Sequence, residues 1–153
     1  MERALDKIRA LASGSGDRRD RAHKIAEMIR ELGPYRWAGL YDVGPEMVSN
    51  VAWSGPAAPA YPDFPVTKGL TGSAIREKKA VIVGDVLTDP RYLTNLGTTL
   101  SEIIIPILDR DGGRVLGTLD VESEKANAFS DDDRKKLEQC ADASLALWLA
   151  NSA

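Results

Sequence analysis

The feature that most constrains the fold is a tight turn between two strand-like segments in the second half of the chain. The turn, Asp109–Gly113, reads Asp-Arg-Asp-Gly-Gly, which is typical of a β-hairpin. The flanking segments, 102–108 and 115–122, are rich in β-branched and other apolar residues. We therefore predict an antiparallel hairpin in which the numbers of facing residues sum to about 222 to 223.

Carboxylates collect on one face of this hairpin. Side chains alternate along a strand, so Asp120 and Glu122 share a face, and the predicted register places Glu102 opposite Asp120 or its immediate neighbour. Acids this close raise one another's pKa unless water or a cation balances their charge. We expect either a site for a cationic group or, as the alternative, a solvated hairpin end. Three acids alone are too few ligands to predict a metal site.

Two further features could complete a ligand site. Trp37 and Tyr41 share one face of the predicted strand 36–43, where their rings could attract a cation or simply pack in the sheet. A short helix predicted to begin at Gly69 would start with unpaired backbone amides, which favour an anion. The residues expected to face a ligand at this helix start are Leu70, Thr71, Gly72 and Ser73.

The 153 residues fit one ordinary domain. We predict N-terminal helices within 1–32, a sheet with pocket loops over 36–123, and a C-terminal helix over 130–150. The remaining predicted strands are 47–53 and 80–83, and the long irregular segments are 54–65 and 85–99.

Composition and charge exclude several classes of protein. The 20 basic and 23 acidic residues give a formal net charge of −3, and no basic block extends beyond 18–21, so we expect no nucleic-acid partner. No apolar run approaches the roughly 20 residues that cross a membrane, and no signal peptide is apparent. We therefore expect a cytoplasmic protein with no membrane partner.

A single cysteine, Cys140, limits the chemistry further. It excludes an internal disulfide, a four-cysteine zinc site and any mechanism that needs two thiols in one subunit. Cys140 falls in an apolar stripe of the C-terminal helix, where we expect a core residue. The sequence predicts no catalytic residue, no metal and no cofactor.

Six short motifs together resemble one protein family. They are similar to motifs of the GAF domains of free methionine-R-sulfoxide reductases, over roughly residues 27–147. The resemblance implies an α/β (α+β) GAF fold: a central antiparallel sheet of about six strands flanked by N- and C-terminal helices, a pocket closed by two loops, and often a homodimer. The motifs are Trp37–Tyr41, Gly69–Gly72, Asp85–Val86, Ser101–Pro106, Gly117–Ser123 and Ala128–Asp131.

The resemblance also implies a substrate pocket. In the reductases, acids matching Glu102, Asp120 and Glu122 hold the substrate amine, and aromatic walls match Trp37 and Tyr41. At Glu122 the family usually has the shorter aspartate.

The redox positions depart from the family pattern. The three cysteines of the reductases fall on Tyr61, Thr71 and Asn95, and none of these is a thiol. A hydroxyl or an amide cannot perform thiol redox chemistry.

We therefore predict a GAF sensor that binds a small amino-acid-like zwitterion without thiol redox chemistry. One alternative is a nitrate or other small-anion sensor that works with a histidine kinase, which becomes the stronger reading if the acids point away from the pocket. A second is residual reductase activity through Cys140 and an external thiol. A third is a dimerisation module built on the terminal helices.

Overall fold

The computed structural model describes residues 1–149 as ten regular helices and strands and two short 3₁₀ turns. The helices are α1 (Glu2–Ser13), α2 (Arg18–Arg30), α3 (Gly69–Glu77) and α4 (Asp131–Ala143). The strands are β1 (Trp37–Val43), β2 (Met47–Ser54), β3 (Asp63–Pro65), β4 (Val81–Val83), β5 (Ser101–Leu108) and β6 (Val115–Ser123). The 3₁₀ turns are Val86–Thr88 and Leu145–Leu147.

The strands form one antiparallel sheet in the order β3-β2-β1-β6-β5-β4. Helices α1, α2 and α4 cover one face, where Ile25 and Leu137 share the main core with Ile103. Helix α3 lies on the other face, where Leu70 and Ile104 belong to a second apolar cluster. Because neighbouring residues on a strand point in opposite directions, Ile103 and Ile104 separate these two layers. The predicted α+β fold is confirmed.

The hairpin register differs from the prediction by a bulge. Near the turn Leu108 faces Val115, as the predicted sum requires, but an irregularity follows between Ile107 and Leu108. Beyond it Glu102 faces Glu122 rather than residue 120 or 121. One extra residue in a strand moves its side chains to the other face. The bulge therefore places Glu102 on the same face as Glu122.

The predicted C-terminal helix is too long. Helix α4 begins at a Ser130–Asp133 capping box and ends at Ala143. At that end the Ser144 hydroxyl donates to Cys140 O (2.8 Å), a side-chain bond that competes with regular helix. The chain continues as the turn Leu145–Leu147, and residue 150 of the prediction lies outside the described residues.

The predicted irregular loop 54–65 contains the short edge strand β3. Phe64 pairs with Val48 of β2, and Pro65 ends the strand at the sheet edge, where a missing N–H is tolerated. Segment 85–99 is irregular apart from its one 3₁₀ turn. Within residues 1–149 no helix is both long and apolar enough to cross a membrane.

Candidate functional site

The site lies on the sheet face opposite α1, α2 and α4. Trp37, Glu122 and Glu102 form one row across β1, β6 and β5, and Gly39 pairs with Asp120 in the next row. A side chain at Gly39 would lie 2.3 Å from the Trp37 ring, so the glycine lets that ring lie over the strand. The pairing of three strands thus brings three acids to one face.

The three carboxyl groups form a tight, buried cluster. One oxygen from each of Glu102, Asp120 and Glu122 lies within 4.8 Å of the others. Their residues are 5%, 6% and 0% exposed, respectively. Burial, followed by the charges of the neighbouring acids, raises the pKa of Glu102 and Asp120 well above the ordinary range. Without a cation, the cluster therefore holds its protons to higher pH than isolated carboxyl groups do.

Glu122 differs from its two neighbours in its hydrogen bonds. Burial raises the pKa of Glu122 as well, but hydrogen bonds from Thr99 and Asn95 oppose that rise. The Thr99 hydroxyl donates to Oε1 (2.6 Å), and the Asn95 carboxamide donates to Oε2 (2.8 Å). Because donors stabilise the charged form, Glu122 is the member best prepared to stay ionised.

Three buried polar atoms of the described residues lack a hydrogen-bond partner. Among the described residues, the buried side-chain atoms without a hydrogen-bond partner are Asp120 Oδ1, Thr118 Oγ1 and the Tyr92 hydroxyl oxygen. Thr118 shares the strand face of Asp120. Burial and the charges of Glu122 and Glu102 raise the pKa of Tyr92 to about 12, which places its hydroxyl near the acids. Buried polar groups are normally paired, and because Asp120 lines the cavity, its unpartnered oxygen could accept a hydrogen bond from a polar ligand there.

A small cavity opens onto the acids. Its volume is about 40 Å³. Its walls comprise the three acids, three aromatic rings, the start of α3, and two residues of segment 85–99. The lining residues are Tyr41, Tyr61, Phe64, Gly69, Leu70, Thr71, Leu93, Asn95, Glu102, Asp120 and Glu122.

Trp37, Gly72 and Ser73 were expected to face a ligand, but they do not line this cavity. Trp37 is fully buried beside Tyr41, with ring centroids 6.4 Å apart, and its indole N–H donates to Ala57 O. Gly72 lies against the backbone of Thr67. The Ser73 hydroxyl accepts hydrogen bonds from two arginines, Arg76 and Arg91. These three residues therefore contact other parts of the protein rather than the cavity.

Sequence reasoning did not assign Phe64 and Leu93 to the cavity. Leu93 belongs to the mainly polar segment 85–99, and its side chain would be 3.2 Å from a Cβ placed on Gly69. Gly69 has φ +71°, a conformation that favours glycine. Segment 85–99 also contains Val86, Leu87, Tyr92 and Leu96, so no signal in the sequence singled out Leu93.

The start of α3 offers backbone donors to the cavity. No side chain caps this helix, and its first backbone bond runs from Gly72 N to Lys68 O (2.9 Å). The preceding amides, including those of Leu70 and Thr71, have no partner within the helix. A carboxylate or another anionic group could bind there, across the cavity from the acids.

The positions that match the reductase cysteines converge on the cavity, since Tyr61, Thr71 and Asn95 all line it. Cys140 lies elsewhere: it is fully buried in the core on the opposite face of the sheet. Burial raises the pKa of its thiol to about 11, so little thiolate forms at neutral pH. No thiol of the described residues reaches the cavity.

Comparisons with known proteins agree with this geometry. A family model described as the GAF domain matches residues 17–144. The chain is 30% identical over 139 residues to GAF domain-containing protein A of Dictyostelium discoideum, covering 90% of this chain and 85% of that protein. It is 34% identical over 107 residues to the free methionine-R-sulfoxide reductase of Saccharomyces cerevisiae, covering 69% of this chain and 58% of that protein.

A solved structure shows the same relationship in three dimensions. The X-ray structure of free methionine-R-sulfoxide reductase from Neisseria meningitidis, in complex with its substrate, has a TM-score of 0.82 and 26% sequence identity to this chain. The match covers 96% of this chain and 87% of that one. The chain therefore belongs to the GAF domain family, and its relatives include free methionine-R-sulfoxide reductases.

Proposed function

We propose that this protein binds a small amino-acid-like zwitterion and acts as a sensor without thiol redox chemistry. The observation that carries this proposal is the convergence of three buried acids on a cavity that also receives the uncapped start of α3. The two features have opposite electrostatic preferences. A ligand with an amine at one end and a carboxylate at the other satisfies both.

The acid cluster suits an ammonium group. An ammonium has three N–H donors, and the cluster offers oxygens of three carboxyl groups, including the unpartnered Asp120 Oδ1. Its positive charge would release the protons that repulsion holds on the acids. A calcium ion would instead require six to eight oxygen ligands, whereas the cluster brings together one oxygen from each of three carboxyl groups.

The rest of the cavity suits the remainder of such a ligand. The amides at Leu70 and Thr71 would receive the carboxylate. Tyr41, Tyr61 and Phe64 supply aromatic walls for an apolar side chain. The acids line the cavity, which favours a zwitterion over a simple anion such as nitrate.

Binding, rather than sulfoxide reduction, would be the activity. Reduction by the thiol mechanism needs an attacking thiolate and a second thiol, whereas Tyr61, Thr71 and Asn95 occupy the matching positions. Cys140 is separated from the cavity by the sheet. In this proposal a cytoplasmic homodimer passes the bound state to a signalling partner such as a histidine kinase.

The first test is thermal unfolding of ligand-stripped protein with L-methionine, its R-sulfoxide, other amino acids and nitrate. A ligand at 100 times its Kd adds about 2.7 kcal/mol to the free energy of unfolding. For a domain of this size that raises Tm by roughly 5 to 10 °C. Glu102→Gln and Asp120→Asn should abolish the shift. Glu124→Gln is the matched control, because Glu124 follows β6 but is 41% exposed and pairs with Arg36.

The outcomes separate the alternatives. A shift with an amino acid that both cluster variants abolish supports the proposal. A shift with nitrate alone contradicts the amine site. If no compound shifts Tm, the proposed sensor of these ligands is refuted and the dimerisation module becomes the favoured alternative.

A further inference from the structure

The cavity is too small for the ligand class proposed above. Its volume is about 40 Å³, whereas small-molecule sites commonly measure roughly 300 to 1,000 Å³. The walls that face the acids must therefore move before a zwitterion can enter. Two segments supply the movable part of the wall, and we call them the first cover (residues 55–62) and the second cover (residues 89–99).

Each cover has its own attachment to the body of the domain. The first cover is attached near one end by the bond from the Trp37 indole to Ala57 O (3.0 Å). The second cover places Leu96 in the apolar cluster of Trp37 and Tyr41. Its Arg91 donates to the Ser73 hydroxyl (3.1 Å), and its Thr99 hydroxyl donates to Glu122 Oε1 (2.6 Å). These contacts place the covers at the cavity mouth without joining one to the other.

Asn95 joins the two covers to each other and to the acid cluster. Its Nδ2 donates to Glu122 Oε2 (2.8 Å), and its Oδ1 accepts from Ala60 N (3.0 Å). Among the hydrogen bonds of residues 1–149, the bond to Ala60 is the one that links the first cover to the second. One carboxamide thus bridges both covers and the sheet.

We propose that Asn95 is a positioning residue that latches both covers over the acid cluster and holds Glu122 in place. The latch needs a donor and an acceptor on one short side chain, and a carboxamide provides both. An alanine would provide neither. Release of the two bonds would let the covers separate and admit a ligand. The latch exists in the free protein whether or not a ligand binds. Only its role in admitting a ligand rests on the proposed function.

Hydrogen exchange of the free protein, measured at single amides, tests the latch directly. In Asn95→Ala the Ala60 amide loses its acceptor, and we expect its exchange to rise about tenfold, together with other amides of both covers. Amides of Ile103 and Ile105 in the central strand β5 should keep their wild-type rates. The matched control is Thr98→Ala, which removes a hydrogen bond from the second cover to Glu124 but leaves the latch intact.

Two results would overturn the latch. One is unchanged exchange at Ala60 in Asn95→Ala. The other is an equal rise at Ile103 and Ile105, because a latch acts locally whereas global destabilisation does not. The exchange measurement needs no ligand, so it stands even if no amino acid binds. Where L-methionine does bind, its association rate should rise about tenfold in Asn95→Ala and stay unchanged in Thr98→Ala.

Discussion

Replacing Glu102 by glutamine should stabilise the unliganded protein while it abolishes binding. Two unit charges about 5 Å apart repel by about 3 kcal/mol at an effective dielectric constant of 20, and the cluster oxygens lie within 4.8 Å of one another. The wild-type protein avoids part of this repulsion by retaining protons. A glutamine has nearly the shape of a protonated carboxyl group. We expect this substitution to raise the free energy of unfolding by about 1 to 2 kcal/mol at pH 8.

The sign of the pH dependence follows from the raised pKa values. The folded protein holds protons on Glu102 and Asp120 at pH values where the unfolded chain, with pKa values near 4.5 and 3.8, has lost them. Stability therefore falls as pH rises from these ordinary values toward the raised ones. The free energy of unfolding should decline between pH 5 and pH 8, and Glu102→Gln should flatten this decline.

Urea unfolding at pH 5, 6, 7 and 8, followed by circular dichroism, measures both effects. The difference in the free energy of unfolding between Glu102→Gln and the wild-type protein should be smallest at pH 5 and largest at pH 8. The control, Glu124→Gln, changes an exposed carboxylate of the same chemistry and should give the wild-type slope. A variant less stable than the wild type at pH 8, or wild-type stability that rises with pH, would refute the reasoning.

Three further predictions concern the framework of the site. Gly39→Ala should lower the free energy of unfolding by about 2 kcal/mol or more in urea titrations, because its Cβ would lie 2.3 Å from the Trp37 ring. Ser130→Ala should lower the free energy of unfolding by about 1 kcal/mol in the same titrations, because the N-terminal cap of α4 is lost. Cys140 should react with a thiol reagent at pH 8 only after denaturant is added, since it is fully buried with a pKa of about 11; rapid labelling of the folded protein would contradict its core position.

The acid cluster illustrates a conflict between stability and function. Three carboxyl groups buried together oppose folding, yet a cation among them would have three acceptors already in place. A substitution that neutralises one of these acids should therefore stabilise the protein and weaken ligand binding. Such an opposition between stability and function is common at functional sites. This coupled outcome distinguishes a ligand site from an ordinary buried polar cluster.

Local rules predicted most of the helices and strands, although they missed β3 and made α4 too long. The Asp-Gly-Gly turn, the period-two strands and the capping residue Ser130 each act within a few residues of sequence, and the hairpin and the start of α4 lie where they were expected. The identity of the side chains also showed that Tyr61, Thr71 and Asn95 carry no thiol. The GAF family and its α+β fold were expected from the resemblance of six motifs to a known family, and both are confirmed.

The remaining features of the site depend on contacts between segments that are distant in the sequence. The β5–β6 bulge set which acids face each other, because a shift of one residue reverses the face of every side chain beyond it. The Trp37 ring packs against its neighbours instead of lining the cavity, and its indole N–H donates to Ala57 O of a loop that is distant in the sequence. The sequence by itself therefore determined which groups were available and on which strands, whereas long-range packing determined their depth, their partners and the small size of the cavity they surround.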